Sequence, residues 1–265
     1  MRLQRILWYK YVWQRQTLAQ LSETYRKGKR WVQKQIDAAS LSDHALVPQP
    51  VIAVSDVTFF RRGYGVLVIR CPKLKRNIYW KEVTMETPEE YLQARRNAEQ
   101  QGFIIQGAVV DGKRGIPRVF SDIPVQMCQF HQIAIIRRYL TSRPKLEAGK
   151  ELRVIALALT TFTEKSCTAL LDEWYKKWEL FLKERTYILG TKHWSYTHRR
   201  IRSAYRSIRT NLPYLFTYQK YPQLKMPNTT NSLDGYFGRI KGLLNVHRGL
   251  TTARRYKIIQ EILRK

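Results

Sequence analysis

The chain has 265 residues, enough to bury a sizeable core in one large domain carrying a small appendage or insertion. Its 48 Lys and Arg stand against 20 Asp and Glu, a formal net charge of +28 that exceeds what solubility requires and points to a polyanionic partner. A 44% apolar content with 16 Tyr and 7 Trp excludes a disordered chain, and no run of about 18 apolar residues marks a membrane span, so nucleic acid is the expected partner and a membrane is not.

Residues 1–44 show no strand-like alternation, whereas Leu18, Leu21, Tyr25, Val32 and Ile36 recur at spacings that suit two short helices divided at Gly28. The segment TLAQLSETYRKGKRWVQKQIDAAS therefore reads as helix, tight turn, helix. Lys27, Lys29, Arg30 and Lys34 gather around the start of its second helix, where a helix-turn-helix presents residues to the major groove. A plain basic helical hairpin fits the same pattern. Pro48 and Pro50 mark a linker.

From residue 51 the texture changes to runs rich in β-branched and aromatic residues, VIAVSDVTFF, GYGVLVIRC and NIYWKEVTM, which predict a three-stranded antiparallel meander. The segment PEEYLQARRNAEQQG predicts a helix, with Pro88 in its first turn and Gly102 at its end. FIIQGAVVDG predicts an apolar strand ending on an acid, so the order is β-β-β-α-β. VQMCQF predicts a further short strand, followed by a helix from near His131. Residues 146–210 read as wholly helical, with apolar stripes such as Leu170, Leu171, Trp174, Trp178 and Phe181. From Asn211 a Pro-punctuated loop leads to two helices split near Gly249. Residues 190–265 hold 16 Lys or Arg against only Asp234 and Glu261, an excess of 16 − 2 = 14 that favours phosphate.

Acids are scarce, so each one seated on an apolar strand needs a reason. Asp56 follows VIAVS and Asp111 ends FIIQGAVV. A carboxylate there is costly to bury unless it is paired, hydrogen-bonded or metal-bound, although a strand-end Asp also serves as a turn or cap residue. Cys128 and His131 have the three-residue spacing of paired zinc ligands, but no further ligands stand at a convincing position. Cys71, Cys128 and Cys167 are odd in number and widely spaced, which fits a reducing cytoplasm rather than a disulfide framework. In RTYILGTKHWSYTHRRIRSAYRSIRT aromatics alternate with bases, a pattern for stacking and phosphate contact, with most of Trp194, Tyr196 and Tyr205 expected in the core.

At SDVTFF, VVDGKRG, CQFHQ and NTTNSLDGYFGRIKGLLNVHRGL the sequence resembles the Mutator-like DDE transposases, including those of bacterial insertion sequences. The resemblance runs from about the helix-turn-helix to the C-terminus with the four motifs in family order, and the set is specific where any one alone is weak. It implies an RNase H-like mixed sheet with a helical insertion, divided as residues 1–46 (helix-turn-helix), 47–145 (first part of the catalytic core), 146–225 (helical insertion) and 226–265 (the C-terminal part of the core with the third acid). In such a sheet the first and fourth strands are neighbours, which brings Asp56 and Asp111 together. The family's third acid, usually Glu, falls on Asp234, one methylene shorter, and its Cys-x-x-His pair falls on Cys128 and His131.

The resemblance further implies cleavage at the terminal inverted repeats of an insertion sequence and joining of the freed 3′ hydroxyl to target DNA. Two Mg²⁺ ions, with Mn²⁺ as substitute, would be held by Asp56, Asp111 and Asp234, with His131 orienting a carboxylate or the DNA. Lys113 and Arg114 after the second acid, Arg239 and Lys241 beyond Asp234, and Arg248 in NVHRGL are the expected phosphate contacts. Double-stranded DNA, a homo-oligomer assembled on it and a nucleoid-associated bacterial location complete the expectation. Some relatives carry a zinc-binding segment ahead of the helix-turn-helix, and no such cysteines precede it here. An inactive DNA-binding derivative and an RNase H-like nuclease without joining activity are the rival readings.

Overall fold

The structure, a computed structural model, describes residues 3–41, 46–187, 189–247 and 249–264; Arg248, among the expected phosphate contacts, lies outside the described residues. The N-terminal part holds three helices rather than the two expected: α1 (Leu3–Val12), α2 (Leu18–Tyr25) and α3 (Lys29–Ala38). α1 buries Leu7, Trp8, Tyr11 and Val12, a face so dense in aromatics that the sequence pattern does not resemble a surface helix. Thr17 opens α2 with a capping box to Gln20, and Arg26 closes it in the left-handed region, so the chain turns tightly into α3. Lys27, Lys29, Arg30 and Lys34 are exposed around that turn.

The three β-rich runs form β1 (Pro50–Arg61), β2 (Tyr64–Cys71) and β3 (Arg76–Val83), an antiparallel meander as expected. Gly63, at φ +72°, makes the first turn without a side-chain clash. α4 (Pro88–Gln100) starts with Pro88 in its first turn and the Thr87 hydroxyl on the Glu90 N–H. It then returns the chain to β4 (Ile104–Val110), which pairs parallel with β1; β5 (Val125–Met127) adds in parallel on the far side. The described residues thus form a five-stranded mixed sheet of order β3-β2-β1-β4-β5, and the fold class is α/β.

Side-chain alternation divides the sheet cleanly. Val51, Ala53, Leu67, Ile69, Ile105, Ala108 and Val110 share a core with Tyr91, Ala94 and Ala98 of α4. Val54, Val66, Val68 and Val109 face the opposite layer.

Beyond β5, α5 (Gln129–Leu140), α6 (Glu147–Leu157) and α7 (Glu164–Lys183) pack with α8 (Arg199–Leu215) around Leu152, Cys167, Leu171, Trp174 and Ile208. This stretch is not wholly helical: β6 (Arg185–Tyr187) and β7 (Trp194–Tyr196) form a small antiparallel hairpin between α7 and α8. Aromatic and β-branched residues around Gly190, at φ +76°, override the basic helical texture there. Tyr205 stacks on Trp174 and Tyr175 in the helical core, whereas Trp194 is partly exposed under the Arg185 guanidinium, 3.9 Å away. α8 ends against β5, where the buried Gln126 and Gln129 amides both donate to the Leu215 carbonyl at 2.9 Å. Short α9 (Thr217–Lys220) follows, then α10 (Asn231–Val246) and α11 (Thr252–Leu263).

α10 and α11 cover the second sheet face and share one core with α1–α3 and with Val54, Val68 and Val109. Polar contacts lock this layer. The buried Arg254 guanidinium donates from Nε and Nη2 to both Asp37 carboxylate oxygens at 2.8 and 2.7 Å. Lys257 donates to the Ile36 and Asp37 carbonyls at 2.9 and 2.6 Å, completing the C-terminal end of α3. Buried His247 stacks on Tyr11 at 3.9 Å, so it ties the chain's two ends together rather than facing a ligand. No helix among the described residues is long and apolar enough to cross a membrane.

Asp37→Ala strands the buried Arg254 guanidinium. A loss of about 1.5–3 kcal/mol is expected, the range for a charged hydrogen bond, because Asp37 itself is half-exposed. Urea denaturation checks this, and an unchanged midpoint would show that the pair does not hold the layer.

Candidate active site

The parallel register explains why two acids 55 positions apart meet. Val54 lies opposite Val109; two residues on, Asp56 is still in β1 on the face of Val54, and Asp111 directly follows the last residue of β4. Neighbouring strands lie about 4.8 Å apart. That face is the one α10 covers, and Asp234 stands in the first turn of α10. Asp56 feels both other acids, each of which raises its pKa.

Asp56 is buried, and its Oδ1 accepts the Val57 N–H at 2.7 Å. Burial above all pushes its pKa up to about 7, the neighbouring imidazolium of His131 opposing this. Burial also raises Asp111, with Glu86 adding to it. Asp111 Oδ1 accepts the Lys113 N–H at 3.2 Å, so it shapes its own turn as well as facing the site. A Cβ at Gly112 beside it would come within 1.9 Å of the Met127 methyl group, so the methionine side chain would have to shift. Asp234 is exposed and its Oδ2 accepts the Thr230 hydroxyl at 3.3 Å.

Thr230 is the link that the sequence did not disclose. It is fully buried, and both its N–H and its hydroxyl lie 3.3 Å from Cys128 Sγ, with the hydroxyl 3.5 Å from His131 Nδ1. The Cys-x-x-His pair and the helix bearing Asp234 are thereby joined through one side chain. The Cys128 hydrogen bond, first of all, lifts His131 to about 9, with the Cys128, Asp56 and Asp111 charges adding to it; His131 is a cation at neutral pH. Burial alone would raise the Cys128 thiol, but hydrogen bonds from His131 and Thr230 hold it below its ordinary value. Cys128 is thus more than packing, yet buried and remote from solvent.

Glu86 is a fourth acid, absent from the expected set. A cleft of about 520 Å³ is lined by Glu86, Asp111, Lys113, His131 and Arg138. Glu86 Oε1 accepts the Tyr91 hydroxyl at 2.9 Å, and its Oε2 accepts Lys113 Nζ at 3.0 Å. Its signal in the sequence was topological. A meander's third strand finishes at the same end of the sheet as its first, so an acid in the loop after β3 lies at the end of the sheet where β1 and β4 also finish.

The basic candidates separate by place. Lys113 lies in the cleft against Glu86, and Arg114 is exposed beside it. Lys241 is exposed about two turns beyond Asp234 on the same side of α10. Arg239 lines a different cleft, with Arg70 and Tyr236. The α2–α3 cations lie on another exposed surface.

The donor chemistry suits a hard divalent cation, since the oxygens are carboxylate and the cost of burying Asp56 is offset only in part by one backbone hydrogen bond and one imidazolium. Among the described residues no three His, Cys, Asp or Glu groups stand close enough to enclose an ion. Mg²⁺ does not need such a cage, because it is bound by one or two carboxylates together with phosphate oxygens and water. Comparison of the chain with protein-family models and with curated proteins gives no match.

The raised Asp56 pKa has a signed consequence for stability. The folded chain holds this proton more tightly than the unfolded chain, so the contribution is complete below the ordinary value of 3.8 and is lost as pH rises through about 7. In EDTA, Asp56→Asn should melt above the parent at pH 8 by at least about 2–4 °C, the shift that 1 kcal/mol produces at this size, and the gap should close towards pH 4. Calorimetry across that range checks it; a gap independent of pH would refute the assignment.

Proposed function

We propose that this chain is a DDE-type DNA transposase of the Mutator-like kind, a metal-dependent polynucleotidyl transferase whose five-stranded sheet is an RNase H-like core. The observation that carries this reading is the register that sets Asp56 level with Asp111 under the helix bearing Asp234. The motif resemblance supports it at the same positions. The net charge of +28 supports double-stranded DNA as both the element ends and the target.

In this reading Asp56, Asp111 and Asp234 would hold the Mg²⁺ ions, for which Mn²⁺ can substitute. Bound there, the metal would supply an activated oxygen nucleophile at neutral pH and stabilise charge on the oxygens of an in-line displacement at phosphorus. His131 places a positive charge against Asp56 and Asp111, which opposes the rise that burial causes in their pKa values and favours their ionised forms. Thr230 fixes the reach of Asp234, compensating for the shorter acid by tethering it to the Cys128–His131 pair. Lys113 and Glu86 brace each other at the mouth of the cleft, where Lys113 and Arg114 meet strand phosphates. The α2–α3 cations recognise the terminal repeat, two copies assemble to join two ends, and the protein works at the bacterial nucleoid.

One observation favours an inactive DNA-binding derivative: the third acid is the shorter Asp234, exposed and bonded to Thr230. A strand-transfer assay in Mg²⁺ or Mn²⁺ separates the two, and analysis of its products distinguishes a transposase from a nuclease that cuts without joining.

Asp56→Ala should lower strand transfer by more than about a hundredfold while end binding persists, since removing even outer-sphere partners costs 10–100-fold. Mg²⁺ should raise the melting temperature of the parent and not that of this variant. Thr230→Val should cost about 10–100-fold and be rescued in part by Ser. Normal strand transfer by Asp56→Ala would overturn the reading.

A further inference from the structure

Arg239 does not join the carboxylates. It lies about 7.5 Å farther along α10 than Asp234 and about 140° around it, in a separate cleft of about 350 Å³. Four cations line that cleft, Arg70, Lys75 and Arg76 from the β2–β3 hairpin and Arg239 from α10, together with Trp13 and Tyr236. No carboxylate is among its lining residues.

The site is built rather than incidental. Arg70 donates to Asn77 Oδ1 at 2.7 Å and to the Lys75 carbonyl at 2.5 Å, and its guanidinium lies 4.5 Å from the centre of the Tyr236 ring. The Tyr236 hydroxyl in turn donates to the Ile262 carbonyl at 2.7 Å and accepts from Asn77 Nδ2 at 2.8 Å. Asn77 Nδ2 also reaches the Leu263 carbonyl at 2.8 Å. The cationic hairpin, α10 and the end of α11 are therefore locked in one arrangement, and the hairpin turn holds Lys75 at φ +53°. Arg70 has five N–H donors and these bonds use two of them, which leaves capacity for an oxyanion.

Shape selects among polyanions. The volume is at the small end of ligand pockets, which run from about 300 to 1,000 Å³. A concave cleft with aromatic walls suits an unpaired strand, whose bases have free faces, better than the convex backbone of a duplex. We propose that this cleft holds the phosphodiester backbone of single-stranded DNA, at a site separate from the carboxylate cluster. The inference rests on DNA being the partner. It adds where an unpaired strand runs: past the exposed side of α10 and onto the β2–β3 hairpin.

Lys75 and Arg239 are both exposed, so the double variant K75A/R239A leaves the core untouched. Binding of a labelled 20-nucleotide single strand and of the matching duplex is measured in EDTA across a salt series, which removes metal-dependent chemistry from the readout. The double variant should bind the single strand about tenfold more weakly. The slope of log affinity against log salt should flatten by about 1.4, that is about 0.7 for each of two lost phosphate contacts. K75R/R239K, which keeps the charges, should behave as the parent. Unchanged affinity and slope for the single strand, or a loss confined to the duplex, would overturn the site while leaving DNA as the partner. Failure of the parent to bind either oligonucleotide would overturn that partner and this site together.

Discussion

The parallel pairing of β1 with β4 is the constraint on which the candidate site depends. Antiparallel partners exchange register locally through a turn, but a parallel pair needs a crossover, here supplied by α4. The crossover delivers β4 beside β1 with Val109 opposite Val54, so that Asp56 within β1 and Asp111 just past β4 come to the same end of the sheet. A slip of one residue would turn Asp111 to the α4 side and bring Val110 to the α10 side, exchanging a carboxylate for a valine at the site. The apolar sets on the two faces prevent that slip, because each would have to leave its core.

A second dependence runs from the chain's ends. α10 reaches the sheet as part of a layer that it shares with α11 and α1–α3, held by the Asp37–Arg254 pair, by Lys257 on the end of α3 and by the Tyr11–His247 stack. The position of Asp234 is thus tied mechanically to the helices that present Lys27, Lys29, Arg30 and Lys34. On the proposed function, DNA contacts on the helix pair and chemistry at the carboxylates act on one packed body. The same layer forms the wall of the basic cleft, through Tyr236 and Ile262.

The electrostatics of the site reflect burial set against hydrogen bonds and neighbouring charges. Burying a carboxylate costs several kcal/mol, and one backbone N–H with one imidazolium recovers only part of it, so Asp56 has its pKa pushed up to about 7. His131 is held charged by Cys128 and by the acids around it, so the Cys-x-x-His pair places a positive charge beside Asp56 and Asp111. Thr230 reaches Cys128 through its N–H and reaches His131 and Asp234 through its hydroxyl, so its side chain links the helix bearing Asp234 to His131.

Much of this was legible in the sequence. β-Branched runs and turn residues determined the meander, Pro88 and Gly102 bracketed α4, and the apolar stripe ending on Asp111 set β4, because these features rest on local backbone preference and side-chain period. Their seats on apolar strands singled out Asp56 and Asp111, and the motif resemblance singled out Asp234, before any geometry was known. Only the tertiary structure decided the rest. α1 escaped because its aromatic face is buried jointly by α3 and by the C-terminal layer, and the hairpin at 185–196 escaped because basic residues masked its strand character. Glu86 and Thr230 join the site through contacts spanning 27 and 99–102 residues, Glu86 to Lys113 and Thr230 to the Cys128–His131 pair, and Arg239 leaves the acids for the hairpin by its angle around α10. Local sequence states what each segment prefers to be; which side chains then meet depends on strand order, crossover register and helix rotation, and those are set by the burial of whole faces.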